Sequence, residues 1–433
     1  MLTFINCKVL DGTERMTVAE NVTVRIDNNK IVYIGEDKSI PSGAAVIDLN
    51  GRFLMPGLIN LHCHLPSSGK PFKVTKDAVA FIQKQLKSPI GRYIIKRLCW
   101  NTAKSALLGG VTTIRTVGGF GSIDSKLRDE INAGKKIGPR ILASNMAVTA
   151  PKGHMAGTLA YIANSKEEAA QKVRLVSQDR PDLIKLMVTG GVMDAEEKGE
   201  PGVLRMPAEL VEAASKEAHA LGYKVAGHVE SPEGVRVALE NGVDTIEHGA
   251  VLNETHIRLF KEKKAAFICT ISPLIPILFF PPEMEGMSEL LKHNGEIVFE
   301  GITKGAKIAL ENGIPVGLGS DGGTPYVTSY DFWRELDYFC RYVGVTPAFA
   351  LYTATLKNAE IAGIAKEVGS IEVGKSADFL ITDKNPLDDF SAMREPYMVV
   401  ARGRVFRHPK AKRIAGFDEK LDSARLKLPP IGT

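Results

Sequence analysis

The chain lacks several features that would place it in a specialised class of protein. Its 433 residues include only five cysteines, an odd number, and no two of them have CxxC spacing. The sequence therefore favours neither a disulfide framework nor a thiolate metal site, and it fits a reducing compartment. With 44% hydrophobic residues, 24% charged residues and two tryptophans, the composition excludes disordered and collagen-like proteins and indicates an ordinary globular one.

The sequence also has little excess charge and no clear membrane segment. Its net charge of +5 is too small to indicate nucleic acid as a partner. The first residues contain no basic region followed by an apolar core, so we expect no export signal. The longest uncharged run, 265–282, contains four prolines and is better explained by a buried strand that continues into a loop than by a membrane helix. We therefore expect a cytoplasmic protein with no membrane partner.

Residues 57–365 alternate between short apolar runs and helical stretches. Such alternation predicts parallel strands joined by crossover helices, which is an α/β fold. Eight strands are expected, and eight is the number that closes a (β/α)8 TIM-like barrel. The predicted strands lie near residues 58–64, 111–117, 140–148, 183–189, 224–229, 245–249, 265–271 and 315–321.

The two ends of the chain have a different pattern. Residues 1–56 and 366–410 contain short apolar runs separated by Asn, Asp and Gly turns, which predicts antiparallel sheet. We expect one small β-sandwich domain built from both ends, a barrel domain at 57–365 and a C-terminal tail at 411–433, with the basic stretch 410–413 exposed to solvent. The region 66–100 is long for a strand-to-helix connection and predicts a lid or extra helices at the barrel mouth.

Two histidines separated by one residue end the first predicted strand. Side chains two positions apart on a strand share a face, so His62 and His64 point to the same side and Cys63 to the other. An HxH pair alone occurs often by chance. Its position at the carboxyl end of a barrel strand, where the active sites of such barrels lie, favours a metal site.

Three further side chains able to bind a metal follow other predicted strands. His228 and His248 end the fifth and sixth strands, and Asp321 ends the eighth. Each alone is explained equally well by a packed histidine or a capping aspartate, but packing rarely places all of them at one rim. Histidine nitrogen and carboxylate oxygen suit zinc or a related divalent ion. The sequence therefore predicts a divalent metal site.

Lys185 lies within the fourth predicted strand, on the same face as Leu183 and Met187. The alternation leaves open whether this face lines the barrel or the helix layer. Burial lowers the pKa of a lysine, and a neutral amine reacts with CO2 to form a carbamate, an anionic group with two oxygens that can bridge two cations. The alternatives are a lysine that reaches the rim or one that pairs with Glu230 or Asp194.

Taken together, these residues resemble the metal-dependent amidohydrolase superfamily, and within it the imidazolonepropionase-related, Xaa-Pro dipeptidase-like branch. The resemblance extends from about residue 20 to residue 405. The motifs that carry it are Pro56-Gly-Leu-Ile-Asn-Leu-His-Cys-His64, Lys185, His228, Ile246-Glu-His248-Gly, Ser320-Asp321 and Gly369-Ser-Ile-Glu-Val-Gly-Lys-Ser-Ala-Asp378.

The resemblance implies a centre of two divalent ions, with zinc as the expected metal. It assigns one ion to His62, His64 and Asp321, the other to His228 and His248, and the bridge to a carboxylated Lys185 and a hydroxide. Asp321 would accept the hydroxide proton and pass it to the departing amine. The implied activity is hydrolysis of a C–N amide or peptide bond in a small molecule, a dipeptide or an N-acyl amino acid. Similar proteins are commonly homo-oligomers.

The resemblance also identifies candidate substrate residues, and the chain departs from the pattern at two positions. His154 matches a loop histidine that binds substrate in this branch. Glu230 stands where relatives often have an aromatic residue, and Thr116 stands where they often have Asp. Glu230 could pair with a cationic group of a substrate or with a neighbouring Lys or Arg.

Two other functions remain open from the sequence. The first is a mononuclear deaminase or a cyclic-amide hydrolase of the imidazolonepropionase kind. Deaminases of this superfamily typically place Glu three residues after the fifth-strand histidine, whereas Glu230 is two residues after His228, and they do not need Lys185. The second is a non-catalytic scaffold without metal, although the presence of every ligand residue argues against it.

Overall fold

The computed structural model describes residues 1–37, 39–71 and 76–432. Strands and helices alternate through most of these ranges. The strands are β1 (Leu2–Leu10), β2 (Val18–Asp27), β3 (Lys30–Gly35), β4 (Ala45–Asp48), β5 (Phe53–Pro56), β6 (Leu58–Cys63), β7 (Val111–Thr116), β8 (Arg140–Ala143), β9 (Ala147–Thr149), β10 (Ala160–Ile162), β11 (Leu183–Met187), β12 (Lys224–Val229), β13 (Thr245–His248), β14 (Ala266–Cys269), β15 (Val316–Leu318), β16 (Phe379–Thr382), β17 (Met398–Ala401) and β18 (Arg404–Arg407).

The helices lie mainly between the strands of the central region. They are α1 (Lys76–Lys87), α2 (Pro89–Leu108), α3 (Ile123–Asn132), α4 (Lys166–Ser177), α5 (Ala208–Ala220), α6 (Pro232–Glu240), α7 (Glu254–Lys263), α8 (Leu274–Phe279), α9 (Glu289–Glu311), α10 (Trp333–Val343), α11 (Pro347–Tyr352), α12 (Asn358–Ile361) and α13 (Phe417–Arg425). In the described parts of the chain, no helix is long and apolar enough to cross a membrane.

The central strands form two parallel sheets. One has the order β6-β7-β8, and the other has the order β10-β9-β11-β12-β13-β14-β15. Hydrogen bonds connect the two sheets on both sides. The Asp182 amide donates to Ala143 O at 2.7 Å, and Cys63 pairs in parallel with Gly322 just beyond β15. The expected α/β class with parallel strands is confirmed.

The third predicted strand, 140–148, differs from the structure. It is divided into β8 and β9, because Asn145 between them has a φ of 60°. This left-handed conformation interrupts an extended strand. The side chain of Asn145 stabilises the break, since its Oδ1 accepts the Ser125 amide at 3.1 Å.

The chain ends combine in one mixed sheet with the order β18-β17-β16-β5-β1-β2-β3, and β4 also pairs with β1. β5 and β16 pair antiparallel and so join the N-terminal and C-terminal segments. On the side of β1 opposite β2, the first residues of β1 pair with β4 and its later residues pair with β5, both in parallel. The core of this sheet includes Phe4, Val24, Leu54 and Phe379, all fully buried.

The region 66–100 contains α1 and the first part of α2, whereas residues 72–75 lie outside the described residues. The expectation of extra helices is therefore confirmed. These helices follow the carboxyl end of β6 in the chain, the end at which the predicted barrel mouth lies. Gln83 Nε2 donates to Gly157 O at 2.8 Å, so α1 contacts the loop that contains His154.

The C-terminal region is only partly the exposed tail that the sequence suggests. Lys410 and Lys412 are exposed as expected. Arg413 is not, because it forms ion pairs with the buried Asp331 at 2.7 Å and with Asp418. The following helix, α13, packs against the core through residues that include Phe417. The expectation of a solvated stretch at 410–413 was wrong for Arg413, since a buried carboxylate needs a cationic partner.

Candidate metal centre

His62 and His64 lie at and just after the end of β6, where the sequence placed them. Their ring centroids are 5.5 Å apart. Cys63 alternates to the other side, joins the main hydrophobic core and places its Sγ 3.7 Å from Arg115 O. The period-two alternation therefore predicts the local geometry here correctly.

The other three predicted ligands converge on the same place. The ring of His248 lies 4.7 Å from that of His62 and 4.6 Å from that of His228, centroid to centroid. Asp321 Oδ1 lies 3.2 Å from His64 Nε2 and 3.5 Å from His62 Nε2. His248 and Asp321 have φ values of 68° and 52°. Such conformations are unfavourable for these residues and concentrate at functional sites.

Two sets of potential ligand atoms adjoin at this point. His62, His248 and Asp321 form one set, and His228, Glu230 and His248 form the other, each with its atoms within 4.8 Å of one another. His248 belongs to both sets. Buried imidazoles combined with carboxylates are the ligand types that zinc and similar ions prefer, so the residues present fit one or two divalent cations.

Lys185 is buried in the centre of β11, and its Nζ has no hydrogen-bond partner among the described residues. Burial lowers its pKa to about 8, whereas the charges of Glu247 and Asp321 act in the opposite direction. It forms no ion pair within the described parts of the chain, so neither Glu230 nor Asp194 is its partner there. The charges that act on Lys185 belong to the site, which indicates that its side chain lies on the side of the histidines.

Burial also determines the charges of the other candidate ligands. It lowers the pKa of His248 to about 4 and the pKa values of His62 and His228 well below the usual value. These imidazoles are therefore neutral near pH 7, the form that binds metal ions. Burial alone would raise the pKa of Asp321, but its contact with His64 and its proximity to the rings of His62 and His248 hold the pKa well below the usual value, so Asp321 remains a carboxylate.

A buried ion pair that the sequence did not reveal supports His62. Glu247 Oε2 accepts a hydrogen bond from His62 Nδ1 at 2.7 Å. Arg115 Nη2 donates to both oxygens of Glu247 at 2.7 and 2.9 Å, and Thr245 Oγ1 donates at 2.5 Å. A carboxylate on one ring nitrogen fixes the orientation of the imidazole and leaves the other nitrogen for a metal. Strict alternation would place Glu247 and His248 on opposite faces, but the positive φ of His248 breaks that rule.

The remaining imidazoles are also held in place. His64 Nδ1 lies 3.0 Å from Gly118 O, and His248 Nδ1 lies 2.8 Å from Thr270 Oγ1. Both therefore leave Nε2 available. His228 is the exception, because its own Nε2 lies 3.3 Å from Gly190 O.

The two predicted substrate residues, His154 and Glu230, lie beside the candidate metal ligands, and the same short segment holds both of them. The ring of His154 stacks on that of His228 at 4.2 Å, and its Nδ1 bonds to Asp194. Glu230 Oε2 accepts the Val192 amide at 2.7 Å. Val192 and Asp194 bound a single 3-10 turn, so one short segment positions both residues. Asp194 entered the sequence reasoning only as a possible partner of Lys185.

Burial raises the pKa of Glu230 to about 8. Within the described parts of the chain, no ion pair joins Glu230 to a lysine or arginine, although the sequence left that possibility open. The alternative, a cationic group of a substrate, stays a prediction.

Known sequences resemble this chain over most of its length. The profile of the Amidohydrolase family matches residues 53–406. Ochratoxinase from Aspergillus niger is 25% identical over 90% of this chain and 83% of its own. Imidazolonepropionase from Geobacillus sp. (strain WCH70) is 24% identical over 87% of both chains.

Solved structures give the same result. A protein from Bifidobacterium longum, provisionally described as a prolidase, is 36% identical, with a TM-score of 0.86 over 98% of both chains. A Xaa-Pro dipeptidase with bound methionine in its active site is 27% identical, with a TM-score of 0.80 over 94% of this chain and 99% of the other. The chain therefore belongs to the amidohydrolase family and is a hydrolase of carbon–nitrogen bonds.

Proposed function

We propose that this protein hydrolyses the C–N bond of a dipeptide or an N-acyl amino acid at a centre of two divalent metal ions, with zinc as the expected metal. The observation that carries the proposal is the pair of adjoining ligand sets that share His248. The similarity to proteins described as prolidases and Xaa-Pro dipeptidases supports the substrate class.

We infer that β6, β7, β8 and β11 to β15 close into a (β/α)8 barrel. The hydrogen bond between Asp182 and Ala143 and the bridge between Cys63 and Gly322 support this closure. The mixed sheet from the chain ends would then be a separate β-sandwich domain, since the fork of β1 between β4 and β5 lets the sheet divide. The candidate ligands lie at the carboxyl ends of the strands, where barrel enzymes have their active sites.

In the proposed centre, His62, His64 and Asp321 would hold one ion, His228 and His248 would hold the other, and Lys185, as its carbamate, would supply a further anionic ligand group. An ammonium group buried without a partner is strongly unfavourable, which supports modification of Lys185. The amine lone pair forms an N–C bond with CO2, the electron pair of one C=O π bond moves to oxygen, and the nitrogen releases one proton to solvent. The carbamate has one negative charge shared by two oxygens, where the bare lysine has no oxygen at all.

The protein side chains have separate roles in the proposed reaction. When bound, divalent ions lower the pKa of a coordinated water from about 16 toward about 7 and polarise a carbonyl group. Asp321 accepts a proton from the attacking water and delivers it to the departing nitrogen, because an unprotonated amide nitrogen is a very poor leaving group. Glu247 and Arg115 keep His62 in one orientation. Asp194 holds Nδ1 of His154, which leaves Nε2 of that ring for the substrate.

The test is a screen of dipeptides and N-acyl amino acids against protein loaded with Zn²⁺, Mn²⁺ or Co²⁺, with the released amino acid measured by mass spectrometry. We expect hydrolysis that a chelator abolishes and added metal restores, and no hydrolysis by Asp321→Asn. The proposal fails if no compound in the panel is cleaved by protein that contains metal.

A second candidate is a mononuclear cyclic-amide hydrolase, which the similarity to imidazolonepropionase favours. Cyclic amides in the same screen test it directly. Preferential ring opening by protein with one ion per chain, unaffected by Lys185→Ala, would support this candidate. A metal-free scaffold would bind no ion at all.

We further propose that the protein acts in the cytoplasm and self-associates. The five cysteines are free and buried, which suits a reducing compartment. Comparison of fractions from the native host, and of molecular mass in solution, would test these two expectations.

A further inference from the structure

α1 and α2 expose a large amount of apolar surface. The most exposed side chain is that of Ile90, at 73%, and the set comprises Phe81, Ile90, Tyr93, Ile94 and Leu98. The four members on α2 have helical spacing, so they lie along one side of the helix. We call these five residues the hairpin face. Concentrated apolar patches on a protein surface mark interaction sites.

The hairpin face lies among positive charges. Residues 76–108 contain seven Lys or Arg and one Asp, so this segment alone has a charge of +6, more than the whole chain. Lys84, Lys87, Arg92 and Arg97 are exposed, and none of them forms an ion pair with the described residues. A partner for this surface should therefore be apolar in part and negatively charged.

The chain offers such a surface in two other loops. Residues 193–200 contain four acidic residues and one lysine, and residues 283–289 contain three acidic residues and no basic one. Asn294 connects the first loop to α9, the helix that follows the second loop, since it accepts the Gly199 amide and donates to Glu197 O, both at 2.8 Å. The exposed carboxylates, which we call the acidic surface, are Glu196, Glu197, Glu200, Glu283, Glu285 and Glu289.

Apolar surface accompanies the acidic surface as well. Met193, next to its first loop, is 42% exposed. Among the described residues, no ion pair joins these six glutamates to a cation. Both surfaces follow the carboxyl ends of parallel strands, because the hairpin follows β6 and the two loops follow β11 and β14.

These charges distinguish two possible contacts between copies of the chain: hairpin face against hairpin face, or hairpin face against acidic surface. Contact between two hairpin faces would oppose four cations with four cations, which is unfavourable. Contact between the hairpin face of one copy and the acidic surface of another brings opposite charges together. In a two-fold dimer each such contact occurs twice, and in a ring each copy uses both surfaces once.

We propose that a second copy of this chain docks its acidic surface on the hairpin face. The proposal rests on the self-association proposed above and names the surfaces that produce it. It is separable from the hydrolase proposal, because assembly is measured without turnover.

The test reverses the charges of each surface and measures molecular mass by light scattering and sedimentation. We expect Arg92→Glu with Arg97→Glu to weaken assembly at least about tenfold, and Glu196→Lys with Glu197→Lys to do the same. Mixing these two variants should restore assembly, because each contact in the mixed complex again pairs opposite charges. Lys410→Glu with Lys412→Glu, at exposed positions outside both surfaces, should assemble like the wild type.

We expect every variant to fold, because all the substituted side chains are exposed. Circular dichroism and the melting temperature check this. A wild type that stays monomeric at high concentration overturns the proposal. So does unchanged assembly of the reversal variants, or a mixture that fails to reassemble. If the wild type is monomeric and instead binds vesicles of phosphatidylcholine with phosphatidylglycerol, the hairpin face takes a lipid surface and the proposal is wrong.

Discussion

The candidate metal centre and the cluster around Trp333 both bury charged groups, but the neighbours of those groups differ. In the Trp333 cluster, acids face arginines. The fully buried Asp337 lies 2.8 Å from both Arg341 and Arg425, and Asp331 lies 2.7 Å from Arg413. The Arg334 guanidinium also lies 4.5 Å from the ring of Trp333.

In the candidate metal centre, by contrast, neutral imidazoles converge with the acids Asp321 and Glu230, and the buried amine of Lys185 has no hydrogen-bond partner among the described residues. Opposite charges that pair within the chain balance each other. Ligand atoms that converge without such a partner instead leave a place for a bound cation. The comparison teaches that burial of charge alone does not identify a functional site. The convergence of several ligand atoms beside a buried amine that has no partner among the described residues does identify a candidate site.

Replacement of Lys185 should have the largest effect on activity. Lys185→Ala removes the proposed carbamate, and we expect activity to fall about a thousandfold, since the ions supply several kcal/mol of stabilisation. Acetate or propionate should restore part of the activity by occupying the vacated space. Labelling with ¹³CO2 should give a carbamate signal in the wild type only. Full activity of Lys185→Ala would remove the carbamate from the account.

Substitution of Glu247 tests whether the carboxylate that orients His62 contributes to metal affinity. Glu247→Gln keeps the shape but loses the charge that orients His62, and we expect a 10 to 100-fold loss of metal affinity, as a rough range for such partners. Metal titration of the apoprotein measures it. Glu212→Gln, an exposed glutamate on α5, is the matched control. Equal affinities of the two variants would mean that Glu247 only balances Arg115.

Glu230 tests the proposed substrate contact. Above about pH 8, where Glu230 is a carboxylate, Glu230→Gln should reduce kcat/KM for substrates with a positive group about tenfold more than for neutral ones, because it removes that charge. Paired substrates that differ only in this group provide the measurement. An equal loss for both would exclude the contact.

Asp337 should show the opposite behaviour, with the smallest effect on catalysis. Asp337→Asn removes the buried acid that Arg341 and Arg425 share, and we expect the free energy of unfolding to fall by about 3 kcal/mol. Metal content and kcat of the folded protein should not change. Glu395→Gln, at an exposed position, should leave stability unchanged. A lower metal content of folded Asp337→Asn would show that the two regions are coupled.

Much of the site could be predicted from the sequence because its residues end strands of a regular pattern. His62, His64, His228, His248 and Asp321 all follow short apolar runs, and parallel strands end at one edge.

Other features depend on backbone conformation or on distant partners. The positive φ of His248 brings its side chain to the same side of the strand as that of Glu247, and the positive φ of Asn145 divides a strand. Arg413 pairs with Asp331, 82 positions away in sequence. Neither kind of information is present in local patterns of residues.

Metal analysis tests the central claim most directly. Protein purified without chelator and loaded with zinc should contain about two ions per chain by mass spectrometry. His248→Ala should bind the second ion more weakly, because His228 and His248 would hold that ion, whereas Asp337→Asn should match the wild type. Less than about 0.2 ion per chain in the loaded wild type, or identical binding by His248→Ala, would contradict the account.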